Sequence, residues 1–377
     1  MLRPVDHLDT KRAEPKEAPL TITRAHPEKV AVLLNRNARL VTDKLVRQME
    51  RLVGSEHIYY SRNLDEAEAF TREIIQKGYG TIACGGGDGT LCGTVNFVRQ
   101  YIDEANAWRQ ERFIRFGEQQ ELIASPRFVF LKLGTGNGIA PVVGASDPLR
   151  DLRKVIEYAP GRAHRVPMLE IEGEKCFVAG LGYDSQILAD YNWMKNNTNN
   201  WLLKWLMHSV VGYLAASITR TVPRALFGDT RLRAKVTTRG RAFYVDPRRG
   251  DAIEEIAPGT TIFEGPASFI GTGTMPYFGY RFRAFPFSNI MPGMMNLRIA
   301  SIGPLSALYN LVALWRGTHR SPRALKDFLV EDVDIELKNP FPFQHSGDPK
   351  GMRQKVNIKV SDEPIELVDF HRPRMIS

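Results

Sequence analysis

The stretch TIACGGGDGTLCG, residues 81–93, decides the fold. Its apolar run ends in four glycines, at positions 85, 86, 87 and 89, that surround the single acid Asp88. Glycine lets the backbone take positive φ and approach a ligand closely, although it loses conformational freedom on folding. Amide groups exposed at a turn that opens a helix bind anions, and the helix dipole assists them. We therefore expect a strand, an anion-binding turn and a helix, with Asp88 holding a cation, a hydroxyl or water; the alternative is a tight turn without a ligand.

Strand-like and helical patterns alternate on both sides of this stretch. Strands are predicted at 29–34, up to 61, at 81–84 and at 127–133, and helices up to about 53, at 64–77 and at 89–107. This alternation predicts a parallel sheet with helices on both faces, which binds its ligands at the carboxyl ends of the strands. A second glycine turn, GTGNG at 134–138, follows the fourth strand, so both turns are expected at that edge.

The pattern changes from about residue 166. Ten short strand-like runs separated by turns predict a mainly antiparallel β-sandwich, interrupted by helices at 201–222 and 304–316. The predicted fold class is therefore α/β with a second, β-sandwich domain. The expected division is a loose arm at 1–27, an α/β domain at 28–165 and the sandwich at 166–377, whose last residues are left free to return to the first domain.

Composition narrows the choice of partners. The 377 residues carry a formal charge of +9 and a pI of about 9.4, which favours phosphorylated ligands, nucleic acid or an anionic lipid surface. Cys84, Cys92 and Cys176 lack zinc-like spacing and are expected to be reduced, buried thiols of a cytoplasmic protein. The apolar segment 201–218 has three interpretations: a membrane span, a packed helix, or a helix that also touches a bilayer surface.

Several motifs together carry a family resemblance. The chain lacks the GxxxxGK[ST] motif of P-loop NTPases and the HRD and DFG motifs of protein kinases. GGGDGT at 85–90, LGTGNGIA at 133–140, GLGYDSQI at 180–187 and Asn35 after the first strand resemble the diacylglycerol kinase catalytic-domain family. This family includes bacterial lipid kinases, sphingosine kinases and ceramide kinases. GGDGT also occurs in NAD kinases, whereas the later segments favour the lipid kinases.

The resemblance implies phosphorylation of a lipid hydroxyl (diacylglycerol, sphingoid base or ceramide) by ATP with Mg²⁺, in a cleft between two domains. It implies a cytoplasmic protein that acts peripherally at an anionic membrane. Asp88 is expected near the phosphates and the metal, and Asp184 near the acceptor lipid. ATP contacts are implied for Asn35, Arg36, Asn37, Ser61, Gly85, Gly86, Gly87, Asp88, Gly89, Thr90, Gly134, Thr135 and Asn137.

The chain departs from the family pattern in four places. The first turn reads NRNAR where the family usually has NPxSG, so phosphate contact there is expected from Arg36 or Arg39. Pro292-Gly293 stands where the family has Asp-Gly, so the acidic metal site of some bacterial members is not expected.

Gly138 stands where the second motif usually has Asp, and Ser346-Gly347-Asp348 stands where the family has DGE, whose Asp is thought to be the general base. A hydroxyl is a poor base near neutral pH. Asp348 is the first candidate to replace it and His345 the second. The base could also matter little, because phosphoryl transfer depends mostly on positioning and charge; the remaining interpretation is a turn without a catalytic part.

Two other functions stay open. One is a soluble kinase of the NAD-kinase type, and the other is a nucleotide- or lipid-binding protein without catalysis. We expect no nucleic-acid partner, since no zinc finger, RNP or helix-turn-helix signature is present. The sequence leaves open which lipid is the acceptor and whether the protein forms a homodimer.

Overall fold

The computed structural model describes residues 26–157, 162–182 and 232–371. Its first sheet has six strands in the order β2-β1-β3-β4-β18-β5, and all neighbours are parallel except β18 and β5. These strands are β1 (His26–Asn35), β2 (Ile58–Ser61), β3 (Tyr79–Gly86), β4 (Arg127–Lys132), β5 (Ala163–Val166) and β18 (Ile365–Val368).

Helices cover both faces of this sheet. They are α1 (Asp43–Val53), α2 (Leu64–Gln76), α3 (Asp88–Phe116), α4 (Ala140–Val143) and α5 (Pro148–Glu157). Along β1, Leu33 joins the apolar cluster that includes residues of α2 and α3, whereas Leu34 joins the cluster of α1 and α5. This alternation follows from the two-residue period of a strand. All eight residues of β3 are buried, as expected for a strand with neighbours on both edges and helices on both faces.

The first helices begin where polar side chains cap them. The Thr42 hydroxyl accepts a hydrogen bond from the Leu45 amide, and the Asn63 side chain accepts one from the Glu66 amide. Such N-caps each stabilise a helix by about 1 kcal/mol. Each helix follows the carboxyl end of a strand: α1 begins eight residues after the end of β1, and α2 begins three residues after the end of β2.

The second sheet contains twelve strands among the described residues, and every pairing is antiparallel. Two helices, α6 (Pro304–Tyr309) and α7 (Leu311–Trp315), follow β14. The strands are β6 (Leu169–Ile171), β7 (Glu174–Cys176), β8 (Val178–Gly182), β9 (Leu232–Thr238), β10 (Ala242–Val245), β11 (Ala252–Ile256), β12 (Thr261–Ala267), β13 (Phe269–Gly273), β14 (Met295–Ala300), β15 (Leu325–Val330), β16 (Asp332–His345) and β17 (Asp348–Val360).

Helix α3 joins the two sheets. The Asn96 side chain donates to the Lys175 carbonyl at 3.0 Å and accepts from the Lys175 amide at 2.7 Å, which ties α3 to β7. Arg99 pairs with Glu363, just before β18. The amino-terminal end of α3 therefore lies beside both sheets.

The predicted fold class, a parallel α/β sheet followed by an antiparallel β region, is confirmed. Differences lie at the ends of elements: β1 begins at His26, α3 continues past 107 to Phe116, and the helix predicted at 304–316 is divided at Asn310. The predicted helix at 201–222 and residues 1–25 lie outside the described residues. No helix in the described part of the chain is long and apolar enough to cross a membrane.

Candidate active site

The amino-terminal end of α3 has the features of an anion site. Gly87 is the N-cap residue and makes no side-chain capping bond, so the first amide groups of the helix lack that partner. Helix α3 is 29 residues long, and its dipole places partial positive charge at this end. The sequence therefore builds here, at the carboxyl end of β3, the arrangement that binds phosphate in other proteins.

Asp88 connects the two glycine turns. Its carboxylate accepts hydrogen bonds from the amides of Gly138, the last residue of the second turn, at 2.7 Å, and Ile139, the next residue, at 3.0 Å. Burial raises the pKa of Asp88, and these two amide bonds offset only part of that effect. Asp88 therefore fixes the second turn against the start of α3.

The turns also meet through bare backbone. A β-carbon on Gly134 would lie 2.3 Å from Cα and 2.6 Å from N of Gly87, so no side chain fits at this position. The Gly134 amide donates to the Gly86 carbonyl at 2.7 Å. Only glycine permits this close approach.

Asn137 offers an acceptor without a partner. Its φ of 51° lies in the left-handed region, and its side-chain amide donates to the Gly134 carbonyl at 2.7 Å. Its Oδ1 atom is buried and has no hydrogen bond among the described residues. An unsatisfied buried oxygen is unusual, and strained backbone often marks a functional site. Because this atom is enclosed, a ligand hydroxyl or a water reaches it only if the turn moves.

The predicted site residues of β1 and β2 lie at the carboxyl edge of the first sheet, where β3 and the first glycine turn also meet. The Asn35 side chain donates to the Thr90 hydroxyl at 3.1 Å, and its oxygen accepts from the Asn37 amide at 2.9 Å. The Ser61 hydroxyl is buried and donates to the Leu34 carbonyl at 3.2 Å.

Arg36 is exposed beside this polar edge, with its guanidinium over a neighbouring tyrosine ring. A cation in this position can approach a phosphate without displacing a structural ion pair. Residues 35–37, Ser61 and Thr90 are therefore brought together with the 85–90 turn.

The structure also explains why position 138 is a glycine. A β-carbon there would lie 2.8 Å from the Tyr277 carbonyl oxygen and 3.0 Å from the Gly279 nitrogen. The Tyr280 amide donates to the Gly136 carbonyl at 2.8 Å, so residues 277–280 cover the second turn. An Asp at position 138 would not fit beneath this cover, which accounts for the departure from the family pattern.

The hairpin between β16 and β17 brings Asp348 to α3. Ser346 and Gly347 form its two-residue turn with φ values of 50° and 85°, the combination of a type I′ hairpin. A β-carbon on Gly89 would lie 3.1 Å from an Asp348 carboxylate oxygen. Partial burial raises the pKa of Asp348, although the residue still faces solvent on one side.

Ser346, which stands at the family's base position, contacts a cysteine of α3. Its hydroxyl lies 3.2 Å from the Cys92 sulfur on α3. Burial raises the pKa of Cys92 to about 12, so this thiol is neutral at physiological pH. Ser346 is therefore a packing contact between the hairpin and α3, and the hairpin carboxylate that lies beside the start of α3 is that of Asp348.

His345, which lies next to Asp348, is itself buried and pairs with a half-exposed glutamate that the sequence did not indicate. Its Nε2 is 3.0 Å from a carboxylate oxygen of Glu174, and its Nδ1 is buried without a hydrogen bond among the described residues. Burial and then the nearby Lys350 lower the pKa of His345, so the neutral ring is favoured. Glu174 comes from β7, about 170 residues earlier in the chain, and no motif marks it.

The structure thus gathers the two glycine turns, the Asn35 edge and Asp348 around the start of α3. Thr135 is half-buried within the second turn. Asp184 lies outside the described residues, so its predicted place near the lipid stays a prediction. No group of three or more His, Cys, Asp or Glu side chains among the described residues could hold a metal ion alone.

A separate cavity of about 970 Å³ lies between the sheets. Val166 and Val360 line it from the two sides, and Val142 of α4 and Met275 lie at the end nearer the second turn. None of the residues of the two glycine turns lines it.

The family comparison agrees with this geometry. Residues 29–171 match the family model of the diacylglycerol kinase catalytic domain, which confirms the resemblance indicated by the motifs. The matched region contains both glycine turns and α3. This match supports a kinase, that is, a nucleotide-using phosphotransferase related to the lipid kinases. No curated protein sequence matches the chain.

Solved structures share the fold across both sheets. A proposed diacylglycerol kinase from Bacillus anthracis str. Sterne is similar with a TM-score of 0.62 and 16% identity, covering 92% of this chain and 97% of that one. A second diacylglycerol kinase structure from the same organism gives a TM-score of 0.56 and 13% identity over 92% and 97% of the two chains. A third, also a proposed diacylglycerol kinase from it, gives 0.59 and 15% over 91% and 97%. At these identities the likeness concerns the fold.

Proposed function

We propose that this protein is an ATP-dependent lipid kinase that transfers the γ-phosphate to a lipid hydroxyl at a membrane surface. One observation carries the proposal: Asp88 fixes two glycine turns around the open amino-terminal end of α3. This arrangement has the amide donors and the rigidity that a triphosphate requires.

The nucleotide is assigned to the carboxyl edge of the first sheet. The amide groups of residues 87–90 bind the phosphates, and Arg36 adds positive charge from the exposed side of the same edge. Asn35 and Thr90 hold each other in place, and the unpartnered oxygen of Asn137 accepts from the nucleotide or from water if the turn moves. In this assignment residues 28–165 form the nucleotide domain and most of 166–377 the lipid-binding domain, with Asp184 near the acceptor.

The chemistry of the site fits Mg²⁺. In phosphoryl transfer Mg²⁺ keeps several waters and takes phosphate oxygens, so one or two carboxylates suffice. Both oxygens of Asp88 already accept amide bonds, which leaves this residue to hold the ion through remaining lone pairs or through water. When bound, Mg²⁺ supplies positive charge that stabilises the transferring phosphoryl group.

Asp348 is assigned as the general base. Its carboxylate lies over the first turn of α3, has no hydrogen bond or ion pair among the described residues, and faces solvent on one side. The acceptor hydroxyl gives its proton to Asp348 while its oxygen bonds to the γ-phosphorus, and the bond from that phosphorus to ADP breaks. The raised pKa of Asp348 brings its basicity closer to physiological pH than that of an ordinary Asp.

A labelled-phosphate assay tests the proposal. Purified protein receives γ-labelled ATP and Mg²⁺ with diacylglycerol, sphingosine or ceramide in mixed micelles, and in a parallel reaction with NAD. We expect label in a lipid product whose mass increases by one phosphate. Label in NAD would favour the soluble kinase, and ATP binding without any transfer would favour the non-catalytic protein.

Two variants test the base within the same assay. Asp348→Asn keeps the size of the side chain and removes its basicity, so we expect kcat to fall by about 10²-fold or more. Ser346→Ala is the matched control, because it removes only the hydroxyl at the family's base position; we expect activity within about threefold of wild type. The reverse order of effects would contradict the assignment of Asp348.

A further inference from the structure

Helices α6 and α7 present an apolar stripe to solvent. We define this stripe as Leu305, Leu308, Tyr309 and Val312, which are 63%, 47%, 89% and 63% exposed. Leu305, Leu308 and Tyr309 share one face of α6 by their spacing of three and four residues, and Val312 lies in the first turn of α7. An apolar face with this spacing normally packs against a core.

The core-facing side of these helices is a different one. Ala307 and Leu314 pack against a small buried cluster that contains Ile302 and Leu325. The helices are therefore held to the second sheet by this side, and the apolar stripe lies on another side that faces outward. Among the described residues nothing covers the stripe, and an exposed apolar patch of this kind marks an interaction surface.

The charge around the stripe has one sign. Residues 265–326 contain no Asp or Glu. Six exposed basic residues lie in the same range, Arg281, Arg283, Arg316, Arg320, Arg323 and Lys326, whereas Arg298 is buried and paired with Asp327. Arg316, Arg320 and Arg323 follow α7 directly and are exposed. A large apolar face beside unopposed basic side chains complements an anionic lipid surface, where apolar groups enter the acyl boundary and basic groups meet phosphates.

We propose that α6, α7 and the basic segment 316–326 form the surface by which the protein docks on an anionic phospholipid bilayer. The apolar stripe enters the boundary between headgroups and acyl chains, and the arginines contact lipid phosphates. The choice of a bilayer rather than an acidic protein rests on the proposed lipid-kinase function. The choice of this surface rests on the exposure and charge of the residues themselves.

A short segment connects this surface to the candidate active site. The Trp315 ring at the end of α7 packs on Phe282 with 5.4 Å between ring centroids, and the Arg283 amide donates to the Trp315 carbonyl at 2.9 Å. Three residues before Arg283, Tyr280 donates its amide to the Gly136 carbonyl in the second glycine turn. A protein docked through α6 and α7 therefore has its phosphate-binding turns attached to the membrane-facing element by residues 280–283.

Vesicle sedimentation of the full chain tests the surface without ATP. The vesicles are phosphatidylcholine alone or a three-to-one mixture of phosphatidylcholine and phosphatidylglycerol. We expect wild type to bind the anionic vesicles, to bind the neutral ones at least tenfold more weakly, and to lose affinity as salt rises. We expect the double variant Leu308→Asp, Val312→Asp to lose at least tenfold in vesicle affinity while its melting temperature stays that of wild type.

Ile114→Asp is the matched control. Ile114 is 81% exposed near the end of α3, and the charges beside it are mixed, because Glu111 pairs with Arg115 and Glu118 with Arg112. We expect this variant to bind anionic vesicles as wild type does. Equal loss in both variants, or no loss in the Leu308→Asp, Val312→Asp variant, would overturn the proposed surface.

Two further outcomes are decisive. If sedimentation velocity finds a wild-type dimer that the double variant disrupts, and neither protein binds vesicles, the stripe is a contact between two copies and the proposal fails. If vesicle binding depends on the stripe but no lipid is phosphorylated in the labelled-phosphate assay, the docking surface stands and the proposed kinase function fails.

Discussion

The contact between the two glycine turns predicts a strong effect of Gly134→Ala. The new β-carbon would lie 2.3 Å from Gly87 Cα, whereas carbon atoms in contact are about 3.5–4.0 Å apart. Gly87 Cα belongs to the backbone and an alanine β-carbon has no rotamer to change, so the turns must separate by about 1.2–1.7 Å. Overpacking of this kind typically costs about 1–3 kcal/mol, and a shift of about 1 Å at reacting groups lowers rates by about 10²-fold.

Gly87→Ala tests the same contact from the other side. Its β-carbon would lie 3.5 Å from Gly134 Cα, which is ordinary van der Waals contact, and its φ of −101° suits any residue. We therefore expect the melting temperature to stay within about 2 °C of wild type, against a fall of about 2–10 °C for Gly134→Ala. Comparing the two variants therefore separates the effect of a steric overlap from the effect of replacing a glycine as such.

Differential scanning calorimetry measures the melting temperature of each variant, and isothermal titration calorimetry measures its affinity for ATP. We expect Gly134→Ala to weaken ATP binding at least tenfold, because separation of the turns also pulls Gly138 away from the Asp88 carboxylate. A Gly134→Ala protein with the melting temperature and ATP affinity of wild type would refute this account of the two turns. A larger loss of stability in Gly87→Ala than in Gly134→Ala would refute it as well.

Three other predictions follow from the site. Asp88→Asn should weaken ATP binding and lower the unfolding free energy by about 1–3 kcal/mol, because either the Gly138 or the Ile139 amide loses its acceptor. Equal stability of the variant and wild type by calorimetry would contradict this. Since burial raises the pKa of Asp348 and only the ionised form accepts a proton, kcat should rise with pH through that pKa, and Asp348→Asn should abolish this rise. Burial raises the pKa values of Cys84 and Cys92 to about 12 and that of Cys176 well above the ordinary value. A thiol reagent near pH 8 should therefore label none of the three cysteines in the native protein and all three after denaturation. Rapid labelling of the native protein would contradict the described burial.

Local patterns predict the first sheet well. Residues 81–84 lie within β3, and the glycines that follow give the turn and the start of α3 at the expected positions. These features depend on neighbours in sequence, namely apolar runs, caps and glycine turns, so they can be inferred from the residues alone. The site residues at 35–37, 61, 85–90 and 134–137 meet at one edge because parallel strands place their carboxyl ends together.

Contacts between distant segments were beyond sequence reasoning. Nothing local indicates that residues 277–280 cover Gly138, so the missing Asp could be noted but not explained. The pair of His345 and Glu174 likewise depends on how β7 and β16 are placed in the second sheet. The type I′ turn at Ser346-Gly347 carries a usable signal, since it fixes the hairpin register that brings Asp348 to the start of α3.

A crystal structure with a non-hydrolysable ATP analogue and Mg²⁺ tests the central claim most directly. The account predicts β- and γ-phosphates within hydrogen-bond distance of the backbone amides at 87–90, with Asp88 still bound to the amides of Gly138 and Ile139. A nucleotide bound elsewhere, with the start of α3 left to solvent, would contradict it.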